Sequence, residues 1–136
     1  MKPYILSIAL SVLLVLTACD MEVTEPIVED PQDTLIQNLE FSVDTTYLDS
    51  NGPRLVAKGT VTNRGSAKVV TPWYLEAQFY TTKTGNVKLG GSNTQIGVPL
   101  NQNQAAVFTL YYSSANVDVR SYPNFGVKDF RGIYKQ

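Results

Sequence analysis

The chain has no histidine and only one cysteine among its 136 residues, and these two shortages exclude much chemistry. Without histidine there is no imidazole general base, no histidine metal ligand and no Ser-His or Cys-His nucleophile pair. One cysteine cannot form an internal disulfide bond or a cysteine-ligated metal centre. The net charge is −1, which does not suit a nucleic-acid binder. We therefore expect no cofactor, no metal, no nucleic-acid partner and no catalytic residue.

Two weaker catalytic possibilities stay open on the residues that are present. Six carboxylates follow residue 33, and any two of them could meet as a glycosidase pair, although nothing in their spacing predicts it. A Ser-Lys nucleophile is also conceivable, but the sequence contains no Ser-x-x-Lys motif. A small enzyme is therefore the weakest of the function classes considered.

The N-terminus has the pattern of a targeting segment. Lys2 gives a positive start, and residues 5–16 form an apolar run that is interrupted only by Ser7 and Ser11. As a helix this run would span roughly 18 Å, which is short of the roughly 30 Å hydrocarbon core of a bilayer. It therefore predicts a signal peptide over residues 1–18 and not a permanent transmembrane helix.

The residues that end this run, Leu16-Thr17-Ala18-Cys19, resemble the lipobox of bacterial lipoproteins. The resemblance implies cleavage between Ala18 and Cys19, a diacylglyceryl group on the Cys19 thiol and acylation of the new amino group. Two or three acyl chains give stable anchoring, at about 0.8 kcal/mol per buried methylene. We expect Cys19 to attach the protein to a membrane of the bacterial cell envelope. The alternative is that Cys19 closes an ordinary cleaved signal or a membrane anchor.

An acidic spacer follows the cysteine and completes a predicted disordered tether over residues 19–36. Residues 20–33 include six acidic side chains, two prolines and no basic residue, so like-charge repulsion extends the chain. Asp20 resembles an inner-membrane retention signal of enteric bacteria. It also resembles the acidic surface-export signals of other Gram-negative groups, so the membrane and the side stay open.

From residue 37 onward the sequence alternates with period two and shows no helical period. Leu39, Phe41 and Val43 are predicted to share one face of a strand, with Tyr47 on the same face two steps later. Turn residues separate further extended segments at residues 55–63, 73–82, 87–97, 106–112 and 124–130. This spacing predicts an all-β, antiparallel immunoglobulin-like β-sandwich of six or seven strands over residues 37–136, with a small barrel as the alternative.

Several spacings in residues 38–131 resemble bacterial FxLYD-type domains, which are small immunoglobulin-like sandwiches often found in lipoproteins. They are Gly59-x-Val61-x-Asn63-x-Gly65, Phe79-Tyr80-x-x-x-x-Gly85 and Leu100-x-x-x-Gln104-x-x-x-Phe108. Phe108-Thr109-Leu110-Tyr111-Tyr112 matches the name-giving motif except for its aspartate, whereas the family's hairpin context fits Phe79-Tyr80-Thr81 better. Turn geometry and inward packing account for these positions without a ligand.

Aromatic residues make up 10% of the chain, and some of them fall on the outward side of the predicted strands. Tyr74 and Tyr80 lie opposite the Trp73 face, and Tyr111 lies opposite Phe108, so these tyrosines form a possible binding face. Cross-strand pairing that stabilises the sheet is the simpler reading. The leading function is a non-catalytic, lipid-anchored interaction or accessory module whose partner is an envelope protein or glycan. The alternative is a carbohydrate- or peptidoglycan-binding module.

Overall fold

A computed structural model describes residues 33–136, which form seven strands and one short 3-10 helix. Within this range no helix is long and apolar enough to cross a membrane. In chain order the elements are β1 (Thr34–Ile36), β2 (Leu39–Asp49), β3 (Arg54–Asn63), β4 (Trp73–Tyr80), β5 (Lys88–Ile96), β6 (Ala105–Tyr112), the 3-10 helix Val119–Ser121 and β7 (Gly126–Tyr134).

The strands pair into two antiparallel sheets. One sheet has the order β1-β7-β4-β5 and the other has the order β2-β3-β6. Two pairs of consecutive strands, β2–β3 and β4–β5, form hairpins within one sheet. The other connections, β1–β2, β3–β4, β5–β6 and β6–β7, cross from one sheet to the other. The sequence prediction of an all-β, antiparallel β-sandwich is confirmed.

Alternation along the strands builds the core between the sheets. The buried residues of this core include Leu55, Ala57 and Val61 of β3, Trp73, Leu75, Ala77 and Phe79 of β4, and Phe108, Leu110 and Tyr112 of β6. Phe79 stacks on Tyr112 and on Phe125, with ring centroids 5.4 Å and 5.8 Å apart. These buried residues occupy every second position of β4 and β6, as side chains on one side of a strand must. The inward faces predicted for these two strands are therefore confirmed.

The first strand of the small sheet departs from simple alternation. A β-bulge interrupts the pairing of β2 with β3 between Val43 and Thr45, so Asp44 is an extra residue and the side-chain parity reverses. The prediction that Tyr47 continues the face of Leu39, Phe41 and Val43 is therefore wrong. Tyr47 lies on the outer face and is 41% exposed.

The folded region also begins earlier than the sequence pattern indicates. Thr34–Ile36 lies inside the segment 19–36 assigned to the spacer, yet it pairs with β7 at Tyr134, Ile133 and Gly132. Three residues are too few to show an alternation, which is why pattern analysis misses this strand. Asn38, with φ of 59°, then turns the chain into β2 of the other sheet.

Asn63 is the one buried polar residue of the described region's core, and it connects the chain segments that cross between the sheets. Its amide nitrogen donates to the carbonyl oxygens of Ala67 (2.8 Å) and Leu100 (3.0 Å). Its amide oxygen accepts from the N–H of Gly65 at 2.9 Å. The β3–β4 and β5–β6 crossings are thus held by one side chain, which explains the Asn63-x-Gly65 spacing in structural terms.

We expect Asn63→Asp to lower the free energy of unfolding by about 3 kcal/mol, because two buried carbonyl groups lose their donor and face a carboxylate. Asn101→Asp is the matched control, since Asn101 is exposed and its side chain makes no hydrogen bond in the described region. Urea denaturation measures both, and the control should stay within about 0.5 kcal/mol of the parent protein. Equal stability of the two variants would contradict this role of Asn63.

Candidate functional site

The outer faces of the two sheets differ in chemistry. The outer face of the four-stranded sheet carries mostly polar and charged side chains: Glu76, Gln78, Asn93, Gln95, Lys128 and Arg131. Glu76 and Arg131 form an ion pair there, with 2.6 Å between the carboxylate oxygen and the guanidinium nitrogen. The β1 end of this face also carries apolar side chains, because Leu35, which is 50% exposed, lies beside the buried Ile133 and the half-buried Tyr74.

The outer face of the three-stranded sheet carries a row of apolar and aromatic side chains. Tyr47, Val56 and Tyr111 are paired across β2, β3 and β6. Val56 lies between the core residues Leu55 and Ala57, so it points outward, and yet it is fully buried. Tyr47 and Tyr111 flank it and are 41% and 47% exposed. We call Tyr47, Arg54, Val56, Lys58 and Tyr111 the tyrosine face.

Two basic side chains of β3 stack on the two tyrosine rings. The Arg54 guanidinium carbon lies 4.3 Å from the Tyr111 ring centroid, and the Lys58 ammonium lies 5.5 Å from that of Tyr47. Cation–π contacts of this kind stabilise exposed pairs by about 0.5–1 kcal/mol. The cations therefore hold the rings in place at the surface.

Asp49 orients Arg54 at one end of the tyrosine face. Its carboxylate accepts from the Arg54 Nε–H at 3.0 Å and from the Asn51 backbone N–H at 3.1 Å. The hydrogen bond from Arg54, followed by that from Asn51, holds the pKa of Asp49 below its usual range. Asp49 is thus charged at neutral pH and neutralises Arg54.

The surface continues from the tyrosine face in two directions. Towards the middle of β6, Val107 is 82% exposed and lies on the same side as Thr60 and Thr109. Beyond Arg54 a shallow cleft of about 480 Å³ is lined by Gly52, Pro53, Arg54, Ser113, Ser114 and Ala115. The face therefore combines an apolar centre with a polar margin.

Another cleft, of about 430 Å³, opens between β2 and the start of β7. It is lined by the backbone and side chains around the β2 bulge, Lys83 and the first residues of β7. Val43 is 38% exposed at its mouth. Over Gly126–Arg131, β7 pairs with β4 on one side only, because β1 reaches no further than Gly132.

Comparison of the chain with protein-family models, with curated proteins and with solved structures gives no match.

The three tyrosines predicted to form one binding face are not brought together. Tyr111 lies on the three-stranded sheet, whereas Tyr74 and Tyr80 belong to β4 of the other sheet. Tyr74 is half-buried, and the Lys135 ammonium lies 4.3 Å from its ring centroid. Tyr80 is only 5% exposed, so the prediction that it belongs to an open face is wrong.

Bulges on both sides of β4 explain the burial of Tyr80. The β4–β5 pairing is irregular between Phe79 and Tyr80, and β7 bulges opposite Ala77, where Asp129 adopts a φ of 55°. The Tyr80 hydroxyl donates to the Asp129 carboxylate, and the Lys128 ammonium lies 4.2 Å from the ring centroid. The hydrogen bond to Asp129, followed by burial, raises the pKa of Tyr80.

Sequence reasoning did not single out Tyr47, Arg54 and Lys58 as site residues. A usable signal exists for the two basic residues, because Arg54, Val56 and Lys58 alternate on one side of a strand whose other side is apolar. No comparable signal exists for Tyr47, because its outward position depends on the bulge at Asp44.

The predicted lipidation and cleavage residues, Cys19 and Ala18, lie outside the described residues. Within residues 33–136, no group of three or more cysteine, aspartate or glutamate side chains is placed to hold a metal ion. The chemistry that the tyrosine face offers is recognition: two phenol hydroxyls, a guanidinium edge, an ammonium and apolar ring surface.

The Tyr80–Asp129 hydrogen bond gives a pH-dependent prediction. Above the ordinary tyrosine pKa of about 10, the unfolded chain loses the Tyr80 proton while the folded chain keeps it, so stability falls as the pH rises. Between about pH 9 and about pH 11, we expect the free energy of unfolding to fall less steeply with pH in Tyr80→Phe than in the parent protein. Tyr111→Phe is the control for removal of one phenol. Parallel pH profiles for the parent and Tyr80→Phe in urea denaturation would refute the expectation.

Proposed function

We propose that the protein is a non-catalytic, lipid-anchored component of the bacterial cell envelope whose β-sandwich binds an envelope protein through the tyrosine face. The observation that carries the proposal is the contrast between the two outer faces. One is mostly polar, carries an ion pair and exposes Leu35 on its edge strand, while the other presents the neighbouring Tyr47, Tyr111 and Val107 to solvent. Exposed apolar groups that neighbour one another on a sheet face are typical of an interaction surface.

The composition of the tyrosine face favours a protein partner. Tyrosine and arginine, together with tryptophan, are enriched among the residues that dominate binding energy at protein interfaces. Here Arg54 is already oriented by Asp49 and stacked on Tyr111, so less side-chain entropy is lost when a partner binds. A rigid sheet with ordered side chains is therefore well suited to a specific contact.

The cation–π contacts argue against the alternative of sugar stacking. A sugar ring stacks on the flat face of an aromatic side chain. Arg54 lies over Tyr111, Lys135 lies over Tyr74 and Lys128 lies over Tyr80, each about 4 Å from the ring centroid. A glycan would have to displace these cations, so we rank carbohydrate or peptidoglycan binding second.

The membrane attachment is supported by the sequence of the N-terminus. The apolar run is too short to span a bilayer, and Leu16-Thr17-Ala18-Cys19 resembles a lipobox. The described fold begins with Thr34, which leaves residues 20–33 as the link between the proposed lipid on Cys19 and the first strand. Fully extended, such a link reaches about 48 Å.

We expect Cys19→Ala to abolish lipid labelling and to leave an uncleaved precursor, because the alanine side chain has no thiol to accept the diacylglyceryl group. Cells expressing the full chain are fed an alkyne-tagged fatty acid, and the purified protein is examined for label and for size. Thr17→Ser, which keeps the cysteine, is the control and should retain the label. Equal labelling of Cys19→Ala and the parent would exclude the anchor.

The proposed contact surface is tested by photocrosslinking in intact cells. A photoreactive residue at Val107, beside the tyrosine face, should give a crosslinked product with an envelope protein. The same residue at Asn93, which is exposed on the other outer face, should give none. Tyr111→Ala should remove the Val107 product, because the partner loses its aromatic contact. Equal products from Val107 and Asn93, or a product that consists of glycan, would overturn the proposed function.

A further inference from the structure

The turn between β2 and β3 contains the chain's one Asn-Gly pair, Asn51-Gly52. Both residues are exposed, and the Asn51 backbone N–H donates to the Asp49 carboxylate at 3.1 Å. The Asn51 side-chain amide makes no hydrogen bond in the described region, unlike the buried amide of Asn63. The turn therefore presents a free amide next to a glycine.

We propose that Asn51 is a site of spontaneous deamidation, which changes the charge at the Arg54 end of the tyrosine face. The backbone nitrogen of Gly52 attacks Cγ of Asn51, so an N–C bond forms and the bond from Cγ to Nδ2 breaks. Ammonia leaves with the proton from the Gly52 nitrogen. Water then opens the resulting succinimide at either carbonyl, which yields aspartate or isoaspartate, and no oxidant or cofactor is needed.

The local structure favours this reaction at Asn51 over other exposed asparagines. The turn is open around Gly52, since a carbon added at its Cβ position would meet no heavy atom within 4 Å outside the adjacent residues Asn51 and Pro53. The two reacting groups belong to adjacent residues, and intramolecular attack of this kind has a high effective concentration. Asn86 and Asn116 are also exposed, but each precedes a valine whose branched side chain crowds the attacking nitrogen.

The product would alter a defined set of contacts. A new carboxylate at residue 51 lies two residues from Asp49 and three from Arg54, where it competes for the guanidinium that now stacks on Tyr111. Isoaspartate also adds a backbone carbon to the turn that connects the paired residues Asp49 and Arg54. The modification therefore acts on the cleft formed by Gly52, Pro53 and Ser113 as well as on the charge.

The test follows the mass of peptides from the full-length protein during incubation at neutral pH. Digestion with chymotrypsin gives a peptide ending at Leu55, and conversion of an amide to an acid changes its mass and its chromatographic retention. We expect Asn51 to convert at least about tenfold faster than Asn86 or Asn116, which serve as controls within the same molecule. Equal conversion at the three asparagines would overturn the proposal.

A substitution at Gly52 tests the succinimide mechanism independently of the comparison between Asn51, Asn86 and Asn116. Gly52→Ala fits the turn, because Gly52 does not have a positive φ and its surroundings are open. We expect this variant to fold like the parent in circular dichroism and to slow conversion at Asn51 to the level of Asn86. Unchanged conversion in Gly52→Ala would show that the missing side chain at residue 52 does not set the rate, and it would overturn the selection of Asn51 by its following glycine. None of these outcomes depends on the lipid anchor or on the partner.

Discussion

A single buried amide, that of Asn63, is the constraint on which the arrangement of the two sheets depends. A sandwich needs chain segments that leave one sheet and enter the other, and their backbone groups lose the partners that a strand would supply. Asn63 supplies two donors and one acceptor to the segments around Ala67, Leu100 and Gly65. Its own backbone pairs with Gln104 and Asn103, so the β5–β6 crossing is tied at several points.

Much of the fold follows from alternation in the sequence, and the exceptions have one physical cause. The inward residues of β4 and β6 were predictable because Trp73, Leu75, Phe79, Phe108 and Leu110 repeat every second position. Tyr47 and Tyr80 were not, because β-bulges next to them insert extra residues and change what surrounds the side chain. A bulge depends on the partner strand, so a single strand's pattern does not reveal it. The candidate surface was accordingly less predictable than the core.

Part of the candidate surface could still be read from the sequence, namely Tyr111 and the outward side of β6. Placing the three proposed tyrosines on one face failed because their strands belong to different sheets. Period-two patterning tells which residues share one side of a strand, but it contains no information on which strands share a sheet. The neighbours of Tyr111 are therefore Val56 and Tyr47 of its own sheet, whereas Tyr74 and Tyr80 lie on the other sheet.

The four cation–π pairs found within residues 33–136 reduce a general difficulty of a small sandwich with many tyrosines, which is the exposure of aromatic rings. An exposed aromatic ring on a flat sheet promotes non-specific association. On each outer face a lysine or arginine side chain stacks on a tyrosine ring, so a charge stays at the surface. The rings in turn cover outward aliphatic residues such as Val56.

On the three-stranded sheet one aliphatic residue is left uncovered, because Val107 is 82% exposed. A partner that covers Val107 and the edge of Tyr111 would bury apolar area without separating Arg54 from Asp49, which is why this side of the sandwich is the favourable place for a contact.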